Sequence, residues 1–173
     1  MMNQVTTLLP PAELRDQRSF RDTLGRYPTG VAVVAAATAE GPAGMAVNSF
    51  TSVSLEPPLI AFCPMLSSRS WAEMKPAGGF AVSLLRSQHE AVARGFSQRT
   101  FDRFAGHEWL ASPSGHPVLA EAIGWLDASI ESISPAGDHE LVIAQVRDWS
   151  APGEGDPLVF FSGGYRALSQ VLP

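Results

Sequence analysis

Between Gly44 and Pro58 the chain reads Gly-Met-Ala-Val-Asn-Ser-Phe-Thr-Ser-Val-Ser-Leu-Glu-Pro-Pro, so that Asn48, Ser49, Thr51, Ser52 and Ser54 crowd hydroxyl and amide groups into one short stretch. A half-buried strand alternates core and solvent positions. Here donors and acceptors come at nearly every step, and an extended backbone would add its own N–H groups to them. Such density suits a planar ligand rimmed with heteroatoms, of which a flavin ring is one. The same residues would also make a Ser/Thr-rich edge strand ending in a turn, and the segment alone leaves both readings open.

Other candidates are scattered along the chain. Ser67-Ser68-Arg69-Ser70 follows an expected strand and opens an expected helix, where hydroxyls, a guanidinium and backbone N–H groups can meet a phosphate. A plain Ser N-cap beside an exposed Arg is the alternative. Arg103, in Phe101-Asp102-Arg103-Phe104, is a second phosphate candidate or a surface partner of Asp102. His139 follows Gly137-Asp138 at a turn, from which it either reaches a cleft or stays solvated. Tyr165 either covers a ligand or packs on the strands, and Cys63 either lines a ring pocket or fills a strand end. His89, His107 and His116 have no mutual metal-ligand spacing, so no metal site is expected.

Motifs for other chemistries are missing: there is no G-x-G-x-x-G, P-loop, paired C-x-x-C, H-E-x-x-H or G-x-S-x-G. Hydride transfer between two bound organic cofactors needs none of these, because the cofactors carry the chemistry. The protein must then supply close stacking, donors for developing charge, and an anion site.

The elements that would position these residues fit one domain. At 173 residues with 45% hydrophobic content the chain can bury a core, and its 17% charged residues fall below the ~25% of an average globular protein, which hints at a subunit interface. With 12 Lys+Arg against 17 Asp+Glu and no basic run, nucleic acid is not an expected partner. A lone cysteine excludes an intrachain disulfide and fits the cytoplasm. No long apolar run or signal peptide points to a membrane.

Residues 1–17 are expected to form an N-terminal arm and 18–170 the domain. A short helix is expected over Phe20–Leu24, capped by Ser19 and stopped by Gly25. Strands are expected from Gly30, over Met45–Val53, Leu59–Cys63, Phe80–Leu85, around Leu126–Glu131, over Leu141–Trp149 and over Leu158–Phe161. Glu40-Gly41-Pro42 and Pro135-Ala136-Gly137 supply hairpin turns, and helices are expected over Ser70–Lys75 and Gln88–Phe96. Phe101–His116 reads as a long loop. In the most regular strand Leu126, Ala128 and Ile130 should be packed, and Asp127, Ser129 and Glu131 wet. Short links favour antiparallel neighbours, hence a small antiparallel barrel that is mainly β with a few helices.

Taken in order, Pro28-Thr29-Gly30-Val31, the Gly44–Pro58 run, Ser68-Arg69-Ser70, Arg103-Phe104, Gly137-Asp138-His139 and Pro157 through Tyr165 resemble the flavin reductase family. Its members feed reduced flavin to two-component monooxygenases. The likeness spans about Phe20 to Leu168. It implies an antiparallel Greek-key FMN-binding split barrel, a homodimer, FMN or FAD, and NADH or NADPH as hydride donor to flavin N5. By position it implies that Met45, Ala46, Val47, Asn48 and Ser49 line the ring, Thr51 and Ser52 lie near the ribityl chain, and Cys63 sits at the ring's other edge. Ser68, Arg69 and Ser70 would meet the phosphate, with Arg103 and Phe104 closing over it, while His139 would approach the nicotinamide with Tyr165. Two positions depart from the family: Ala46 stands where Thr is usual, and Gly164 where a basic residue is common before the Tyr. The second favours NADH. Within the same fold the alternatives are an oxidase with tightly held FMN and a non-catalytic flavin-binding module.

Overall fold

The computed structural model describes residues 16–98 and 102–168. The arm up to residue 15, Phe101, and residues 169–170 at the end of the expected domain lie outside the described residues.

The chain builds a seven-stranded antiparallel sheet in the order β3-β2-β6-β9-β10-β5-β4, from β2 (Ala32–Thr38), β3 (Gly41–Val47), β4 (Thr51–Leu55), β5 (Pro58–Phe62), β6 (Gly79–Leu84), β9 (Gly124–Ala136) and β10 (His139–Ser150). A three-stranded sheet, β1 (Thr29–Gly30), β11 (Val159–Phe161) and β12 (Gly164–Arg166), lies beside it, and β7 (Trp109–Ala111) pairs with β8 (Pro117–Leu119). Among the described residues three α-helices accompany the sheets, α1 (Gln17–Leu24), α2 (Arg69–Met74) and α3 (Glu90–Phe96), the last two adjoined by short 3-10 turns at Lys75–Ala77 and Ser87–His89.

β2 is covered on both faces, which is why its sequence shows an apolar run and no alternation. Ala32, Val34 and Ala36 face one core with Phe62, Phe80, Val142 and Ala144. Val31, Val33 and Ala35 face a second core built on Val92, Ala93 and Phe96 of α3, with Leu85 and Leu158. Trp71 and Met74 of α2 are buried in the first core, Trp71 meeting Phe62 edge-on at 5.4 Å between ring centroids. The indole Nε1–H donates to Glu140 Oε2 at 2.5 Å, and Lys75 Nζ pairs with the other carboxylate oxygen at 2.8 Å, fastening α2 to β10.

Several expectations change. Helix α1 starts earlier, because Asp16 and not Ser19 is the cap: its carboxylate accepts from Ser19 N–H at 2.7 Å. Phe20 and Leu24 share a face but stay exposed, and α1 buries no residue. The β2–β3 turn is Ala39-Glu40, with Gly41 and Pro42 already in β3, an edge strand that tolerates proline. The expected loop Phe101–His116 contains β7, which closes a small ribbon with β8. Asp127, expected on a wet face, is only 1% exposed: the Ser112–His116 turn folds over it, and Ser114 N–H donates to its Oδ2 at 2.8 Å. The β9–β10 turn is Gly137-Asp138, where Gly137 has φ +67°, as a two-residue hairpin with Gly at its first central position requires.

The expected strand Met45–Val53 is the most instructive correction. It is two strands, β3 and β4, which form the two opposite edges of the seven-stranded sheet. The intervening Asn48-Ser49-Phe50 carries the chain from one edge to the other.

Candidate functional site

At this crossing none of the backbone N–H groups of Asn48, Ser49 and Phe50 donates to another described residue. The Ser49 hydroxyl is committed: it accepts from Cys63 N–H at 3.0 Å and lies 3.4 Å from Cys63 O, tying the crossing to the end of β5. Ser49 therefore offers a ligand its backbone, while Asn48 offers an amide side chain as well.

On one flank of β3 lies a cleft of about 320 Å³ lined by Gly44, Arg69, Ser70, Arg103 and Phe104, with the carboxylates of Glu73 and Asp102 at its margin. Arg103 is held in it by three partners. Its Nη1 donates to Gly44 O at 3.3 Å and to Ser70 Oγ, and its Nε and Nη2 reach Gln98 O at 3.4 and 3.3 Å. All these partners are neutral, so the guanidinium charge is uncompensated by any ion pair among the described residues. Ser68 does not face this cleft's guanidinium but starts the helix beside it, its Oγ accepting from Trp71 N–H at 3.2 Å as the N-cap of α2. Gly44 is required by close approach, since a Cβ there would lie 2.9 Å from Phe96 Cε1 and 3.1 Å from Val34 O.

Further along β3, Ala46, Val47 and Asn48 meet Ser97, Phe160 and Tyr165 around a cleft of about 230 Å³. Tyr165 packs on Phe160 at 5.5 Å, and the Arg94 guanidinium sits 5.1 Å from its ring centroid. Burial pushes the Tyr165 hydroxyl above its usual range, so it remains a phenol at neutral pH. This second cleft is continuous with a larger cleft running to α1, which shares Asn48 and Phe160.

His139 opens β10, where it forms a bridge with Met65. Its Nδ1 lies 2.7 Å from Asp138 Oδ1, and this hydrogen bond holds the Asp138 carboxyl below its ordinary value. Leu66 N–H donates to Asp138 O, so the turn is stitched to the loop entering α2. His139 thus neighbours the loop that leads to Arg69, whereas Tyr165 packs with Phe160 and Arg94, and in the single chain their contacts share no residue. Thr51 and Ser52 are exposed on the edge strand β4, and Met45 packs against the first core.

Three contributors escape a reading of residue types. Phe160 forms the floor common to both parts of the Tyr165 flank, but its strand is too short to betray which face is buried. Arg94 reaches Tyr165 only through the packing of α3. Gly44 is visible as the first residue of the polar run, and its role as Arg103's acceptor depends on the fold.

The family described as "Flavin reductase like domain" matches residues 24–169. Among curated relatives, a flavin reductase of Pseudomonas putida is 41% identical over 90% of this chain and 92% of its own length. The reductase subunit HsaB of a flavin-dependent monooxygenase from Rhodococcus jostii is 39% identical over 91% of this chain and 80% of its own. Among solved structures, NADH:FAD oxidoreductase of Streptomyces globisporus in complex with NAD and FAD fragments superposes with a TM-score of 0.84 at 32% identity, covering 89% of this chain and 93% of that one. With the polar run at the split of an antiparallel barrel and an arginine-bearing cleft beside it, the chain belongs to the flavin reductase family.

Proposed function

We propose that the chain is an NAD(P)H:flavin oxidoreductase that reduces FMN or FAD and releases the reduced flavin to a flavin-dependent monooxygenase. The observation that carries this reading is the pairing of the Asn48–Phe50 crossing, whose backbone donors are unused, with the cleft along β3 in which Arg103 is held by neutral partners and makes no ion pair among the described residues, Glu73 and Asp102 lining the same cleft. That donor set fits a phosphorylated flavin: amide groups for the polar edge of a ring, a guanidinium for phosphate, and an apolar wall from Phe160 and Val47. When bound, flavin accepts a hydride from the reduced nicotinamide stacked on it.

The chain's own residues bind and orient. Arg69, Ser70 and Arg103 would take the phosphate, Asn48 and the backbone of Ser49 the ring edge, and Ala46 and Val47 its face. Thr51, Ser52 and Cys63 flank the same crossing through β4 and β5. The donors at Asn48 and Ser49 favour the more electron-rich ring without reorganising. His139, at the Gly137-Asp138 turn, would contact the nicotinamide side. Gly164 in place of a basic residue favours NADH. The R. jostii relative, a reductase subunit of a flavin-dependent monooxygenase, supports release of reduced flavin to an oxygenase.

A homodimer is part of the proposal. Val53 and Leu55 on the edge strand β4, together with Trp149 of β10, are exposed, Leu55 at 91%. An apolar edge strand of this kind needs cover. We place the enzyme in the cytoplasm; no helix among the described residues is long and apolar enough to cross a membrane.

The test is absorbance at the reduced-nicotinamide band with NADH or NADPH and FMN, FAD or riboflavin in air. Protein-dependent loss is expected, and the preferred pair identifies both substrates. No loss with any pair would overturn the reading.

A further inference from the structure

The groups assigned above to the flavin phosphate depend on α2. Arg69 and Ser70 line the cleft from this helix, and Ser70 Oγ accepts from Arg103 Nη1, so Arg103 takes its place from α2 as well. A helix of six residues is held by its tertiary attachments, and those attachments decide where its side chains stand.

The structure gives α2 two attachments to β10. At its entrance the preceding loop is bonded through the backbone, Leu66 N–H donating to Asp138 O and Glu140 N–H to Pro64 O, each at 3.0 Å. Further along, the Glu140 carboxylate accepts from Trp71 Nε1–H at 2.5 Å and from the ammonium of Lys75, the C-cap of the helix, at 2.8 Å. The entrance bonds alone would let the helix swing about its loop, and the carboxylate removes that freedom.

Stability is a poor reason for a carboxylate at this position. The Glu140 side chain is only 14% exposed, and a largely buried ion pair commonly contributes less to stability than apolar residues of similar volume. The Trp71 ring is already held by the first core, edge-on to Phe62. What the carboxylate adds is direction, because it ties the polar tip of the indole and the end of the helix to the strand that begins at His139. The bond from Lys75, and after it that from Trp71, holds the Glu140 carboxyl below its ordinary value, so the clamp is ionised at neutral pH.

We propose that Glu140 is a positioning residue for the flavin: through Trp71 and Lys75 it sets Arg69, Ser70 and Arg103 in register with the His139 turn, so that a flavin gripped by its phosphate presents its ring to the nicotinamide. The inference rests on the reductase reading above and gives Glu140 no contact with flavin.

The experiment measures FMN and riboflavin affinity by flavin fluorescence quenching, and NADH oxidation with each flavin, for the full chain and its variants. Glu140→Ala is expected to bind FMN at least fivefold more weakly and to raise the KM for FMN by a similar factor, while its riboflavin affinity and its kcat/KM for riboflavin stay within twofold of wild type. Glu140→Gln, whose amide oxygen can still accept from the indole, should recover part of the loss. Trp71→Phe should reproduce part of it, and should add little when combined with Glu140→Ala. Thermal melts establish that each variant is folded at the assay temperature, and Glu140→Gln carries the same comparison where Glu140→Ala is not. Equal losses for FMN and riboflavin, the mark of a merely structural role, overturn the inference, as does an FMN affinity within twofold of wild type in the variants. A wild type that binds riboflavin as tightly as FMN overturns it too, since no phosphate grip then exists to be positioned. NADH oxidation that persists in that case leaves the reductase reading standing, so the two fail separately.

Discussion

Replacing Arg103 by Ala removes a cation that touches β3, α2 and the end of α3 together. Its protein partners are the neutral Gly44 O and Gln98 O at 3.3–3.4 Å and the Ser70 hydroxyl. The carbonyl bonds are longer than the usual ~2.9 Å, so their loss should weaken folding by no more than about 1 kcal/mol. A phosphate on the same guanidinium makes a charge-assisted bond worth about 1.5–3 kcal/mol. At 1.4 kcal/mol per decade, FMN affinity should fall about ten- to a hundredfold. Riboflavin, which lacks the phosphate, is the internal control and should bind Arg103→Ala as it binds wild type. Arg103→Lys keeps the charge without the planar fork and should fall between. Quenching of flavin fluorescence measures all of these affinities. Equal losses for FMN and riboflavin would show that Arg103 acts by shaping the crossing, and no loss for FMN would remove the phosphate from this cleft.

Asn48→Ala should weaken riboflavin and FMN alike, measured by the same quenching, because its amide serves the ring and not the phosphate. His139→Ala should lower kcat/KM for NADH in the absorbance assay and leave flavin affinity unchanged; unchanged turnover would end its assigned role. Gly44→Ala forces a methyl to 2.9 Å from Phe96 and 3.1 Å from the Val34 carbonyl, an overpacking expected to lower stability by about 1–3 kcal/mol in a urea melt and to disturb Arg103. His116 accepts from Ala37 N–H at 3.3 Å, and burial holds its ring neutral, below the ordinary value of 6.5, against the opposing pull of Asp127. The unfolded chain therefore binds the extra proton first, and stability should fall as pH drops below about 6.5. His116→Gln should flatten the dependence of Tm on pH in that window.

Composition, short links and alternating apolar residues were sufficient to specify an antiparallel barrel, since they act through local periodicity and chain connectivity. The polar run Asn48–Ser52, Arg69, Ser70 and Arg103 were legible as residue types with chemistry to offer. What local pattern could not decide was the split. β3 and β4 read as one strand because both are extended and rich in β-forming residues, and only the closure of seven strands puts them on opposite edges with Asn48 between them. Asp127 looked wet because its strand alternates, and it is buried by a turn that arrives from another part of the chain. Ser68 could be told from Ser70 only once α2 had formed, the first capping Trp71 N–H and the second accepting from Arg103. The companionship of Tyr165 with Arg94 and Phe160, and its separation from His139, likewise follow from which face of the barrel each short strand covers. Residue chemistry is a property of the chain, whereas the choice of neighbours is set by closure of the sheet and the layers packed on it.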